Sequence, residues 1–296
     1  MLIPAPIKRS YIWDLAPHVS VVRRCLQQNM RVYLAEWMPL AGSEQNFGLD
    51  EYADRLLSAC LDAIASETGQ ERVILVAHSL GGTLAAIFSC LHPQRVRSLV
   101  LLSAPLQFAA AAGDFAPLIS AAPDATMIAR MFGQVPGSFL NLTSGIATGG
   151  EFQWQCGIDL LACAADYRAL ATHLRVQRWM LDEFTLPEKL FAEVVELLYR
   201  EDRLMQGRLR VHGKLVGPHD LTVPLLSAFD PRSSLIPPQS IIPFHQAAAS
   251  SQKKLLAYQG DVGVAIQHVG MLVGSNAHTG LWPAIFNWLA AIGMPP

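Results

Sequence analysis

Short aliphatic runs rich in Val, Ile and Leu alternate along the chain with longer stretches whose apolar positions recur every three or four residues. The runs at 2–4, 31–35, 73–77, 98–103, 223–229 and 254–258 predict buried strands. Between them, Tyr52, Leu56, Leu57, Cys60, Leu61 and Ile64 fall on one face of a helix over 49–68 that Gly69 stops. A second helix is expected from just after Ser79 to Cys90, ending near His92 because Pro93 cannot continue it, and another over 283–291. Strands and helices in alternation give a mostly parallel sheet covered by helices on both faces.

From 106 to 207 the pattern changes to Ala-rich segments punctuated by Gly and Pro, then to aromatic helical stretches over 167–183 and 187–199, with no strand periodicity. This predicts an α/β core formed by 1–105 and 208–296, with a helical lid or cap inserted at 106–207. Such an insertion would cover the carboxyl ends of the strands, where open α/β sheets bind their ligands. The most apolar stretch, 73–91, carries His78, Ser79, Gly81 and Gly82 in its middle, so it reads as strand, turn and buried helix rather than a membrane span.

Composition narrows the classes of function. Apolar residues make up 51% of the 296 and charged residues only 16%, too apolar for a disordered chain. A net charge of −2 gives no electrostatic reason to expect nucleic acid as a partner. Lys8 and Arg9 follow a very short apolar run, the reverse of a signal peptide, so a cytoplasmic location is the expectation. Five cysteines (Cys25, Cys60, Cys90, Cys156 and Cys163) show no C-x-x-C pair, and the odd count predicts buried free thiols rather than a disulfide framework. The sequon Asn141-Leu142-Thr143 is read as chance.

The most informative motif is Val73-Ile74-Leu75-Val76-Ala77-His78-Ser79-Leu80-Gly81-Gly82-Thr83. A buried strand running into a tight turn that bears a serine and then into a helix is the context of a nucleophile elbow, which predicts an α/β-hydrolase fold with Ser79 as nucleophile. Residues two before and two after the serine must be small, because the turn brings its backbone close to its neighbours. Ala77 and Gly81 meet that need, with alanine in place of the commoner first glycine. The Leu80 N–H, at the positive end of the helix, is one candidate oxyanion donor, and Ile7, in the loop after the first strand, is the other. His78 is read as a structural neighbour whose side chain points away from the chemistry.

Nucleophile, acid and histidine follow one another in that order in this fold, so the base must come late. His268, in Gln267-His268-Val269-Gly270 after the last predicted strand, is the expected base, with His278 as its competitor. His18, His92, His173, His212, His219 and His245 read as surface or capping residues, and no spacing implies a metal or a cofactor. Asp230 directly follows the strand at 223–229, where its carboxylate could hold the histidine tautomer. The alternative is an Asp-Pro turn that Asp230 merely caps, and Asp261 is a second candidate acid.

With these residues in place, the chain resembles the poly(3-hydroxyalkanoate) synthases, especially the catalytic subunit of their two-subunit class. The resemblance runs through Lys8-Arg9-Ser10-Tyr11-Ile12-Trp13-Asp14-Leu15, Val32-Tyr33-Leu34-Ala35-Glu36-Trp37, Gly81-Gly82-Thr83, Arg178-Trp179, Leu235-Ile236-Pro237-Pro238, His268-Val269-Gly270 and Pro283-Ala284-Ile285-Phe286-Asn287-Trp288-Leu289. It implies a hydroxyacyl thioester or polyester substrate, presented as an acyl-CoA, acyl-carrier or simple ester, and it assigns His268 as base. Three departures stand against it. The synthases carry cysteine in a G-x-C-x-G elbow where this chain has Ser79. An ungapped reading from Pro224 to Pro238 puts Ser233 where the family has its aspartate. The family's N-terminal extension is also lacking. A serine ester with a histidine base suits hydrolysis or a single acyl transfer, so an esterase, thioesterase or acyltransferase is expected. A polymerase with a changed nucleophile, and a catalytically weak subunit that binds a partner or a granule surface, are the alternatives. A homodimer or a partner subunit is left open.

Overall fold

In the computed structural model, which describes residues 1–38, 42, 46–147 and 151–293, five parallel strands form the central sheet. In chain order they are β1 (Leu2–Ile3), β2 (Val73–His78), β3 (Val96–Leu102), β4 (Leu225–Phe229) and β5 (Lys253–Ala257), and they lie side by side in that same order. The segment expected as a strand at 31–35 lies along the free edge of β1. Leu2 N–H donates to Tyr33 O at 2.7 Å and Ala35 N–H to Leu2 O at 2.9 Å, but pairing extends no further than the Leu2–Leu34 bridge. From β1 the chain therefore steps outward to 31–35 and then returns to β2 on the other side.

Strand residues alternate between two faces, as the pleat requires. Ile3, Leu75, Ala77, Leu99 and Leu101 pack into one cluster with α2 (Leu56–Thr68) and α3 (Leu80–Leu91), which contribute Leu57, Leu61 and Phe88. Leu2, Val76, Val100, Leu102 and Leu226 face the other cluster, closed by α1 (Val21–Gln27) and by Trp282 and Ile285 of the C-terminal helix. The apolar runs thus become strands buried on both sides, which explains the high apolar fraction. Gly69 ends α2 in the left-handed region at φ 70°.

Between β3 and β4 lie the helices Phe115–Ala121, Ala125–Phe132, Gly137–Ala147, α4 (Glu151–Cys163), α5 (Tyr167–Met180) and Glu188–Glu193. Residues 148–150 of the expected insertion lie outside the described residues. Two short antiparallel ribbons also occur, Gln134–Val135 with Leu186–Pro187 and Leu209–Val211 with Lys214–Val216. The first of these falls in the stretch where no strand is expected, since two paired residues are too few to leave an alternating pattern. Leu106, Phe108, Leu190 and Leu198 join the same core cluster as α2 and α3, so this part of the insertion packs against the sheet rather than standing apart. The terminal helix, α6, spans Trp282–Ala291. Among the described residues no helix is long and apolar enough to cross a membrane.

Candidate active site

Ser79 stands at the end of β2 with φ 55° and ψ −135°, a positive φ that non-glycine residues rarely adopt and that a functional turn can hold under strain. The strain is locked on both sides. Ser79 N–H donates to Leu102 O at 3.0 Å, Gly82 N–H returns to Ser79 O at 2.8 Å, and Thr83 Oγ1 donates to Pro105 O at 2.7 Å. Gly81 and Gly82 are required by packing. A Cβ at Gly81 would collide with the Pro4 carbonyl, and one at Gly82 with the Ala104 methyl. Only with small residues here can α3 begin directly against the loop that leaves β1.

His268 reaches this turn from the loop after β5. Its Nε2 lies 2.9 Å from Ser79 Oγ, within hydrogen-bond reach for proton transfer. His278 does not compete, because its Nε2 donates to Leu272 O at 2.8 Å and its Nδ1 accepts from Arg24 Nε at 3.3 Å. His78 departs from expectation. Its ring does not point away from the chemistry but lies against the base, with ring centroids 4.6 Å apart and Nε2–H donating to the His268 carbonyl at 2.9 Å. Burial pushes the His78 pKa down to about 4, with the bond to His268 opposing, so the ring is neutral and its proton sits on Nε2. Enclosure first, and the neighbouring His78 second, hold His268 well below the usual histidine range.

The acid side is different. The His268 Nδ1 atom is buried and has no hydrogen-bond partner. The expected hydrogen bond from His268 Nδ1–H to the Asp230 carboxylate is not formed. Asp230 follows β4 as predicted, but it accepts from Arg232 N–H at 2.9 Å and from Arg232 Nε at 3.3 Å, so the Asp-Pro turn and the arginine engage the carboxylate. Asp261 is engaged too, by the Tyr258 hydroxyl at 2.6 Å and the Asn276 and Ala277 N–H groups at 2.8 and 3.2 Å. Ser233 Oγ accepts from Ile236 N–H at 3.0 Å. Asp230, Ser233, Asp261 and His268 nevertheless share the wall of one cavity of about 660 Å³, at the carboxyl ends of β4 and β5 and against Gln155, Ile158 and Asp159 of α4.

The two candidate oxyanion donors come from different elements. Leu80 N–H is at the first position of α3, where a helix leaves its leading amides without intrahelical partners. Ile7 lies in the loop after β1, tied from outside by Phe184 N–H to Ile7 O at 3.1 Å, by Lys8 to Glu183 at 3.5 Å and by Arg9 to Asp182 at 3.0 Å. His173 and His245, read as surface or capping residues, are buried, His245 bonding Ser227 Oγ at 2.9 Å. All five cysteines are free, four of them buried and Cys60 only partly so. Among the described residues no group of three or more His, Cys, Asp and Glu side chains is placed to hold a metal ion.

A parallel sheet with a strained serine turn at a strand end and a histidine within hydrogen-bond reach has the arrangement of the α/β-hydrolase fold, and a family model described as alpha/beta hydrolase fold matches residues 17–153. In sequence the chain is similar to poly(3-hydroxyalkanoate) polymerase subunits. It is 29% identical over 293 residues to the polymerase subunit PhaC of Haloferax mediterranei, an alignment taking in 98% of this chain and 58% of that one. It is 25% identical to PhaC of Synechocystis over 98% of this chain and 77% of the other. The chain thus spans somewhat more than half the length of the haloarchaeal relative. Solved structures share the fold at low identity: the Paleococcus ferrophilus monoacylglycerol lipase at 13% (TM-score 0.59, 98% of this chain and 93% of that one) and a Thermogutta terrifontis esterase at 14% (TM-score 0.55, 98% and 89%).

Proposed function

We propose that the chain is a serine acyl-transfer enzyme, an esterase, thioesterase or acyltransferase, acting on hydroxyacyl or similar (thio)esters through an acyl-Ser79 intermediate. The observation that carries this reading is the 2.9 Å contact between Ser79 Oγ and His268 Nε2 on a strained turn. Ser79 Oγ attacks the acyl carbonyl carbon while His268 Nε2 takes its proton. The negative oxygen of the tetrahedral intermediate lies toward the Leu80 and Ile7 N–H groups. Collapse expels the thiol or alcohol, which leaves with the proton from His268. An acceptor then donates its proton to His268 and attacks the acyl-serine, and on collapse His268 returns the proton to the departing Ser79 Oγ. In the resting state the base acts without a carboxylate partner, as a Ser-His dyad.

The hydroxyacyl substrate class is supported by the relatives' name, poly(3-hydroxyalkanoate) polymerase subunit, and by colinearity over 98% of this chain. The same name favours the second reading, a polymerase whose nucleophile has become serine. The helices between β3 and β4 serve as the lid in either case, and a cytoplasmic acyl-CoA is the natural donor. Incubation with p-nitrophenyl 3-hydroxyacyl esters and 3-hydroxyacyl-CoA, followed by mass spectrometry, tests both. The expected result is an acyl adduct on the peptide bearing Ser79 and release of free acid. Polymer would select the second reading, and unchanged turnover in Ser79→Ala would overturn both.

A further inference from the structure

The loop that carries His268 owes its shape to a carboxylate from the insertion. Asp159, on α4, is buried, and its two oxygens are divided between two backbone amides of that loop. Oδ1 accepts Gly263 N–H at 2.7 Å and Oδ2 accepts Ala265 N–H at 2.8 Å. Both residues sit in the left-handed region, Gly263 at φ 82° and Ala265 at φ 60°, a conformation that alanine adopts only when its surroundings impose it. Gly263 also lies against α4 and α5, where a Cβ would crowd Ala169 and Cys163. Val264, Ala265 and Val269 share an apolar cluster with Cys156 of α4 and Val176 and Trp179 of α5.

Asp159 is fixed in turn. His173, on α5 and fully buried, places Nδ1 3.2 Å from Oδ2. An ionised carboxylate only accepts, so the His173 proton is on Nδ1, and Nε2 is left facing Cys156 Sγ at 3.9 Å. Gln177 Nε2 donates to the same sulfur at 3.2 Å. Neither His173 nor Cys156 lines the cavity at the base, so the group is a brace and not a second nucleophilic centre.

We infer that Asp159, held by His173, is a positioning residue for the base: it sets the left-handed turn at 263–265 and thereby brings His268 Nε2 to Ser79 Oγ. This rests on the Ser79–His268 reading. It makes the insertion part of the catalytic frame, since displacing α4 would displace the base. His268 has no carboxylate on Nδ1 to orient its ring. The loop backbone, with the His78 bond to the His268 carbonyl, takes over that task.

The test compares Asp159→Asn with Asp166→Asn. Asp166 caps α5 of the same insertion through Arg168 and Ala169 N–H at 2.8 and 3.2 Å and touches neither Ser79 nor the base loop. The isosteric Asp159→Asn turns an amide NH2 toward an N–H donor, so the turn relaxes. The expected result is a fall of about 10²-fold in Ser79 acylation by a p-nitrophenyl ester, as a misplacement of about 1 Å costs, with the KM nearly unchanged. Asp166→Asn should lower Tm while leaving acylation by folded protein as in the parent. Hydrogen exchange on the unmutated protein gives a readout that does not depend on variants folding: the Gly263 and Ala265 amides should be strongly protected. Parent-like acylation in folded Asp159→Asn, or unprotected amides at 263 and 265, overturns the inference. Turnover that survives Ser79→Ala would instead remove the reading on which it rests.

Discussion

Ser79 stands directly between β2 and α3, in a turn braced by the backbone of Leu102, Pro105 and Pro4, whereas His268 sits on a loop whose Gly263 N–H bonds a carboxylate 104 positions away. At the first site the Ser79 and Gly82 amides and the Thr83 hydroxyl are bonded, and no Cβ fits at either glycine. At the second, Nε2 of the imidazole meets Ser79, the His78 ring lies against it, and Nδ1 is buried and unbonded. A strained turn persists only where its surroundings over-determine it, as the backbone bonds and the glycine packing around Ser79 do. A base needs only correct placement, and long-range contacts can provide it. The difference predicts that damage to the elbow abolishes chemistry, while changes on the acid side tune it.

The largest effects should come from the reacting atoms themselves. Ser79→Ala and His268→Ala are each expected to lower single-turnover acylation by about 10⁴-fold or more, and the double variant by hardly more than either, because the two act as one unit. His278→Ala should leave the activity of folded protein in place. Additive losses in the double variant would break the pairing. Next in size is Gly81→Ala, which the collision with the Pro4 carbonyl makes a test of local locking. A loss of about 10²-fold together with a lower Tm is expected, since either the elbow or the loop after β1 must shift. A stable, fully active Gly81→Ala protein would show that the turn has slack.

The same contrast decides what can be read from the sequence. Five of the six predicted strands appear with nearly the expected bounds, because buried parallel strands leave unbroken aliphatic runs. The sixth, at 31–35, has the right residues, but its pairing is confined to Leu2. The serine turn is legible because strand, small residues and helix lie within eleven positions. Ring orientation is not. Nothing local distinguishes a His78 that points away from one that stacks on His268. Position alone directs Asp230 toward the histidine, yet an Asp followed by Pro and Arg has two nearer donors, the Arg232 amide and guanidinium. Asp159 and His173 escape a sequence reading altogether. They lie fourteen residues apart across two helices, with only an Asp and a His as signal and no motif joining them.

An intermediate effect is expected in the pH profile. A base must be neutral, so kcat/KM rises as pH passes up through its pKa, and the lowered His268 pKa moves that rise below the ordinary imidazole value of about 6.5. Activity on a neutral p-nitrophenyl ester should already lie on its plateau at neutral pH. Ser233→Asp places a carboxylate on the cavity wall shared with His268. An opposite charge favours the imidazolium, so the midpoint should rise, by about one unit or more if the carboxylate reaches Nδ1. A parent midpoint at or above about 7 would mean that a carboxylate already pairs with the base in solution.

The smallest effect is expected from Asp230→Asn, the substitution that distinguishes the dyad from a triad most directly. Were Asp230 the orienting acid, the amide put in its place would trap the wrong histidine tautomer and cost about 10⁴-fold; the resting contacts call for less than about 10-fold. The substituted side chain would still accept the Arg232 backbone N–H through its carbonyl oxygen. The change would weaken the charge pairing between the buried Asp230 side chain and an Arg232 guanidinium that stands largely in solvent, where screening is strong. A modest fall in Tm with nearly full acylation is therefore the expected pattern, measured on the same ester and at the same pH as the parent. A loss of about 10²-fold or more, with Tm unchanged, would mean that Asp230 leaves Arg232 and turns to His268 Nδ1 once substrate is bound. The base loop would then be completed by the substrate, while the serine turn is complete without it.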